Sequence, residues 1–426
     1  MNYAHLSLED RKKLLQELNE KYNEYCSRGL SLDLSRGKPN SDQLDISLPL
    51  LSESRPREKC FSESGIDCRN YGGLDGIIEM KRLFSDMLGI KMEYIYVGGN
   101  SSLQLMYDTL ARAMLFGVLG SARPWCKEEG LKWICVAPGY DRHFKITEVL
   151  GFELITVPML PTGPDMDMVE ALVKDPKVKG MWCVPKYSNP TGTTYSDEIV
   201  KRIAALKPAA KDFRIMWDNA YAMHFLDADN DDKLLSILDE CEKAGNPDLA
   251  VMFSSTSKIT FSGGGIAAIA ASKHNLDLIK ARMTIQTISG DKLNQLRHAR
   301  MFPNPEALRE HMKKHAASLK PKFEVVVNTL QSELGDLGII SWTEPKGGYF
   351  VSADTLPGCA KRVVGLCKDA GLVLTGAGAT YPYGNDPLDN NIRIAPSFPP
   401  VDELKTAMKL FTVAVKKATL EMLIEQ

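Results

Sequence analysis

The sequence has no paired-cysteine spacing, no long apolar run and no excess of either charge, and each absence removes a class of protein. Its nine cysteines include no C-x-x-C pair, which argues against a disulfide scaffold and for reduced thiols in a cytoplasmic setting. No apolar stretch approaches the roughly 18–20 residues that a bilayer span needs. Against 54 acidic residues stand 52 basic ones, so no electrostatic footprint for nucleic acid or a membrane surface is present. The first residues, MNYAHLSLEDRKK, place Glu9 and Asp10 where a secretory signal would be apolar. Ser7 followed by Asp10 reads instead as a capped helix start, leading a helix over Leu8 to about Tyr25. No internal repeat or low-complexity tract occurs.

What is present is an alternation of short apolar runs with helical patterns over 426 residues, enough for a large domain and a smaller one. Strands are predicted at Trp133–Ala137, Leu154–Val157, Met181–Val184, Arg214–Trp217, Ala250–Phe253 and Ile266–Ala270. Most are hydrophobic throughout, as strands covered on both faces of a mainly parallel sheet should be. A crossover helix is predicted over Ser196–Leu206. From Pro303 the pattern changes: a long helix from Pro305 to about Leu334, a turn at Gly347-Gly348 and a final helix from Val401 describe a second, α+β domain. The division expected is an arm over 1–55, a large domain over 56–304 and a small one over 305–426.

Five short motifs carry chemistry. Ser254-Ser255-Thr256-Ser257-Lys258 follows an apolar strand, a place where open α/β sheets bind ligands and where a lysine suits Schiff-base chemistry. Trp217-Asp218-Asn219-Ala220-Tyr221 ends another strand, and its Asp is suited to a protonated ring nitrogen. Ser188-Asn189-Pro190-Thr191-Gly192 is a turn whose Asn amide is free to reach a ligand oxygen. Gly98-Gly99-Asn100-Ser101-Ser102 opens a helix and makes an anion site. Asn391-Ile392-Arg393-Ile394-Ala395 sets an arginine in an apolar strand, where a carboxylate would be its natural partner.

In this order and spacing, the motifs resemble the fold-type-I, class I aminotransferases over essentially the whole chain. Leu32-Asp33-Leu34-Ser35-Arg36-Gly37-Lys38-Pro39, Ser257-Lys258-Ile259-Thr260-Phe261 and Asp291-Lys292-Leu293-Asn294-Gln295-Leu296-Arg297-His298 resemble the divergent bacterial aspartate aminotransferase subgroup, Ic. The resemblance implies the PLP-dependent transferase fold, an α/β architecture with a mainly parallel sheet and a smaller α+β C-terminal domain, and pyridoxal 5′-phosphate (PLP) as cofactor. It implies catalytic roles for Lys258, Asp218 and Tyr221, with Lys258 carrying the cofactor and moving the proton. Asn189 and Tyr221 would bond the ring oxygen, and Tyr140 would stack on the ring. Asn100, Ser101, Ser102, Ser255 and Ser257 would surround the phosphate. Arg393, with Gly37 and Asn189, would take the substrate α-carboxylate. Tyr71 would reach the phosphate of a neighbouring subunit, which makes the expected assembly a homodimer with shared sites.

Two departures remain. The family usually has an arginine eight residues after the lysine; here that position is Ile266, after Gly263-Gly264-Gly265. For a distal carboxylate, Arg36, Lys38, Lys292 and Arg297 are all candidates. The substrates expected are aspartate or glutamate with a 2-oxo acid; a broader transaminase or a PLP lyase on the same fold are the alternatives. A regulator with a ligand-sensing domain would need an N-terminal DNA-binding unit, for which the sequence offers one helix. His311 and His315, one turn apart, read as a solvated helix face rather than a metal site.

Overall fold

The computed structural model describes residues 2–51 and 60–425, so the expected boundary at 55/56 lies outside the described residues. Thirteen strands are present among them: β1 (Leu32–Asp33), β2 (Ile95–Val97), β3 (Lys132–Ala137), β4 (Glu153–Leu160), β5 (Gly163–Pro164), β6 (Val178–Cys183), β7 (Arg214–Asp218), β8 (Ala250–Ser255), β9 (Ala267–Ala271), β10 (Ile340–Trp342), β11 (Val351–Thr355), β12 (Leu372–Val373) and β13 (Asn391–Ile394). Eight form one sheet in the order β2-β9-β8-β7-β6-β3-β4-β5. Its middle, β8 through β4, is parallel, and the antiparallel pairs are at the two edges.

All six expected strands are present, each within a few residues of its predicted ends. Their unbroken hydrophobicity has a two-sided cause. Ile134, Val136, Ile215, Trp217 and Met252 point into one core, whereas Trp133, Cys135, Met216, Val251 and Phe253 point into another across the sheet. The first face is covered by helices Ile78–Leu88 and Asp197–Ala204, the second by Ser102–Phe116 and Lys273–Gln286. Helices in the crossovers cover both faces, so the middles of these strands are apolar and the polar residues, such as Arg214 and Asp218 of β7, sit at strand ends.

A third core gathers helices Leu8–Ser27, Pro305–Leu334 and Val401–Glu425 around the sheet β10-β11-β13. Ser7 caps the first of these, accepting from the Asp10 N–H at 3.1 Å as its spacing predicted. Val184, Tyr187 and Tyr221, just beyond β6 and β7, belong to this third core. The ends of the parallel strands therefore meet the seam between cores.

Candidate active site

Four adjacent parallel strands deliver the predicted residues to one edge. β3 leads to Tyr140, β6 to Asn189, β7 ends at Asp218, and β8 ends at Ser255, three residues before Lys258. The turn after β7 is tied to β8: Asn219 N–H donates to the Phe253 carbonyl (2.8 Å), and the Ser254 hydroxyl donates to the Asn219 carbonyl (3.0 Å).

At the centre Asp218 is buried, with Oδ2 3.0 Å from His143 Nε2. His143 stacks on Trp182 with centroids 4.3 Å apart and meets Tyr140 edge-on at 4.9 Å. The sequence reading missed His143. Its signal was the Tyr140-x-x-His143 spacing, which puts both rings on one helical face. The other oxygen of Asp218, Oδ1, is buried without a hydrogen-bond partner. Leaving a carboxylate oxygen so costs free energy unless a donor completes it, so the atom marks where a cationic N–H belongs. Lys258 Nζ lies 4.9 Å from the centroid of the Tyr221 ring. Burial lowers the Lys258 pKa, opposed by the Asp218 charge. Burial raises that of Tyr221 well above its usual value, so its phenol stays a proton donor. Burial likewise pushes Tyr140 up to about 12.

On one side of this centre Ser101 caps helix Ser102–Phe116, and the Ser257 hydroxyl donates to the Asn100 carbonyl at 2.7 Å. Asn100 turns its own amide to the Gly263 carbonyl (3.3 Å). Gly265 is needed here because a Cβ would sit 2.8 Å from the Ser257 backbone. Ile266 is buried in the core with its N–H on Thr256 Oγ1, so its side chain does not replace the missing arginine.

On the other side Arg393 is 8% exposed on β13. It donates to Asn189 Oδ1 (3.1 Å), to Thr375 Oγ1 (3.2 and 3.3 Å) and to Asp141 Oδ1 (3.2 Å), with its guanidinium 4.9 Å from the Phe350 ring centroid. Gly37 lies against the same ring, which a Cβ would strike at 2.3 Å. Of the four candidate cations, Lys292 is placed elsewhere: it is buried, and Nζ donates to the carbonyls of Asn70 and Gly72 at 2.7 and 2.6 Å. Its ammonium holds the turn that carries Tyr71, which is 79% exposed. Lys38 sits over the Phe398 ring at 3.7 Å, and Arg36 and Arg297 are exposed.

The expectation of a solvated face for His311 and His315 is overturned. Both are buried, with His311 Nε2 2.7 Å from the Ile259 carbonyl and 3.1 Å from His315 Nε2. His298 Nε2 meets Thr260 Oγ1 at 2.8 Å, and Tyr349 donates to the Lys258 carbonyl at 3.3 Å. Three consecutive residues from Lys258 are thus held from behind. Burial lowers the pKa of His298 and His311, and takes His224 and His315 down to about 3. The unfolded chain takes up these protons near pH 6.5 while the fold refuses them, so stability is lost as pH falls from about 6.5 toward 3. At pH 5, His224 and His315 each cost on the order of 2 kcal/mol. The urea midpoint should fall clearly between pH 7 and pH 5; an unchanged midpoint would mean the imidazoles charge inside the fold.

The comparisons with known proteins bear on this geometry. Residues 6–426 match the family model described as aspartate amino-transferase. An aspartate aminotransferase from Corynebacterium glutamicum is 48% identical over 95% of this chain and 94% of its own length. A crystal structure of an aspartate transaminase from that organism superposes with a TM-score of 0.95 at 47% identity, covering 98% of this chain and 99% of the other. An α-aminoadipate aminotransferase from Thermus thermophilus, complexed with N-(5′-phosphopyridoxyl)-L-leucine, shares the fold at a TM-score of 0.72 and 18% identity, over 94% and 95% of the two chains. The chain is an aminotransferase of fold type I and belongs to the aspartate aminotransferase family.

Proposed function

We propose that this aminotransferase holds PLP on Lys258 and moves an amino group between aspartate or glutamate and 2-oxoglutarate or oxaloacetate. The observation that carries the cofactor reading is the pair at the centre of the site: a buried carboxylate oxygen lacking a donor, and a lysine whose proton burial weakens. When bound, PLP supplies an electron sink that stabilises negative charge at the substrate α-carbon.

The chain's residues then divide the work. Asp218 Oδ1 takes the ring N–H, and His143 holds its other oxygen so that the carboxylate cannot turn away. Asn189 presents Oδ1 to Arg393, which leaves its NH2 for the ring oxygen beside the Tyr221 hydroxyl. Tyr140 covers the ring face. Ser255, Ser257 and the Asn100–Ser102 turn enclose the phosphate, with Ser101 at the helix N-terminus. Lys258 Nζ, buried beside the Tyr221 ring, would be the base that moves the proton. Arg393 grips the α-carboxylate beside Gly37. With Lys292 committed to carbonyls and Lys38 seated over the Phe398 ring, we assign Arg36, adjoining Gly37, to the distal carboxylate.

The protein works as a homodimer in which Tyr71, turned outward, completes the partner's phosphate site. The nine free thiols support a reducing, cytoplasmic compartment. Among the described residues no helix is long and apolar enough to cross a membrane.

A screen of single half-reactions tests the substrate reading. Each amino acid is added to holoenzyme and the formation of pyridoxamine phosphate is followed. Aspartate and glutamate should exceed alanine by roughly tenfold to a hundredfold in kcat/KM, the value of one charge-assisted pair. Arg36→Gln should erase most of that margin and leave alanine unchanged. Wild-type enzyme that prefers alanine or tyrosine would overturn the dicarboxylate reading alone.

A further inference from the structure

Arg393 already has a carboxylate. Its Nη1 divides its two hydrogens between Asn189 Oδ1 and Asp141 Oδ1, while Nε and Nη2 both reach Thr375 Oγ1. Three of these four bonds go to neutral acceptors, the Asn189 amide oxygen and the shared Thr375 hydroxyl; Asp141 is the anion. Its side chain is 35% exposed, against 8% for that of Arg393, so it approaches the guanidinium from the solvent side. A substrate carboxylate gripped bidentately needs two parallel N–H groups of the fork. Nη1 has no hydrogen to give unless Asp141 or Asn189 yields one, and Asn189 is buried. Two carboxylates at one guanidinium also repel each other, which makes joint occupancy unfavourable.

We infer that Asp141 is a resident counter-ion of Arg393 that the substrate α-carboxylate must displace, and that it thereby sets the apparent affinity for every substrate. The inference rests on the assignment of Arg393 to the α-carboxylate. Asp141 has somewhere to go. It is the first residue of helix Asp141–Val149, whose N-cap residue, Tyr140, supplies no side-chain hydrogen bond. A helix N-terminus favours negative charge, so the carboxylate remains stabilised by its own helix end when it leaves the guanidinium. While the site is empty, Asp141 offsets the cost of a buried, unpaired guanidinium and keeps adventitious monocarboxylates out. Asp141 is therefore an affinity-setting residue acting through Arg393.

The test is calorimetric titration of holoenzyme with succinate, an unreactive dicarboxylate, alongside steady-state kinetics. Asp141→Asn should bind succinate roughly threefold to tenfold more tightly than wild type, the worth of one partly exposed charged pair. KM for amino and oxo substrates should fall by a similar factor, with kcat unchanged or lower. Asp141→Ser, which keeps a small polar side chain at the first helical position without the charge, should show the same tightening and guards against a purely structural effect. Succinate binding that is unchanged or weaker in both variants, with cofactor content normal, overturns the inference. Arg393→Met separates the two levels: if it binds succinate as well as wild type, the α-carboxylate reading of Arg393 fails and this inference falls with it. Loss of binding in Arg393→Met together with tightening in the Asp141 variants supports both.

Discussion

Lys258→Ala enzyme should fold, bind PLP and amino acid, and fail to exchange the amino group. The reason is local. Among the buried lysines nearby in the structure, Lys186 Nζ is held by the Ala222 carbonyl and Asp231, and Lys292 by two carbonyls. His143 is occupied by Asp218, and His224 Nε2 faces the Lys258 backbone carbonyl at 3.4 Å. Neither is available as the mobile base. Loss of a positioned acid–base group costs about 10²–10⁴-fold, and loss of the covalent anchor adds to it. Borohydride treatment of wild-type holoenzyme, followed by peptide mass spectrometry, should place the reduced cofactor on Lys258. A label on another lysine would refute the assignment.

Asp218→Asn should leave PLP bound and slow the reaction by about a hundredfold to a thousandfold, the range for removing one aimed electrostatic group. The amide retains the shape but not the charge, so nothing at that position holds a proton on the ring nitrogen, and the cofactor's capacity to accept electrons drops. His143→Asn should produce a smaller loss in the same direction, because it frees Asp218 to turn without removing its charge. Single-turnover rates measured with aspartate are the appropriate readout. Near-normal rates in Asp218→Asn would show that another carboxylate does this work.

Much of this was legible beforehand, for reasons that differ by element. The central strands announced themselves because both faces are covered, so the pattern was unbroken. β2 was not seen, being only three residues, Ile95–Val97, ahead of a glycine pair. Lys258, Asp218, Asn189 and Arg393 were visible as chemistry displaced onto strand ends or into an apolar strand. Asp141 was not, since an acid at a helix start has an ordinary capping explanation. The histidines were misread although the signal existed: Leu308, His311, Met312, His315, Ala316 and Leu319 follow the spacing of one buried stripe. The polar label of the side chain outweighed its position. Lys292 could not have been placed from sequence, because its partners are backbone carbonyls more than two hundred residues away.

Helix Lys292–Met301 touches two things at once. Through Asn294 and His298 it braces the Gly264 carbonyl and Thr260, both close to Lys258. Through Lys292 at its first position it fixes the outward turn bearing Tyr71. In the proposed dimer that makes the helix a rigid lever between one protomer's lysine and the other protomer's phosphate cup. A substitution that displaces this helix would therefore disturb both sites, not the one in its own protomer alone.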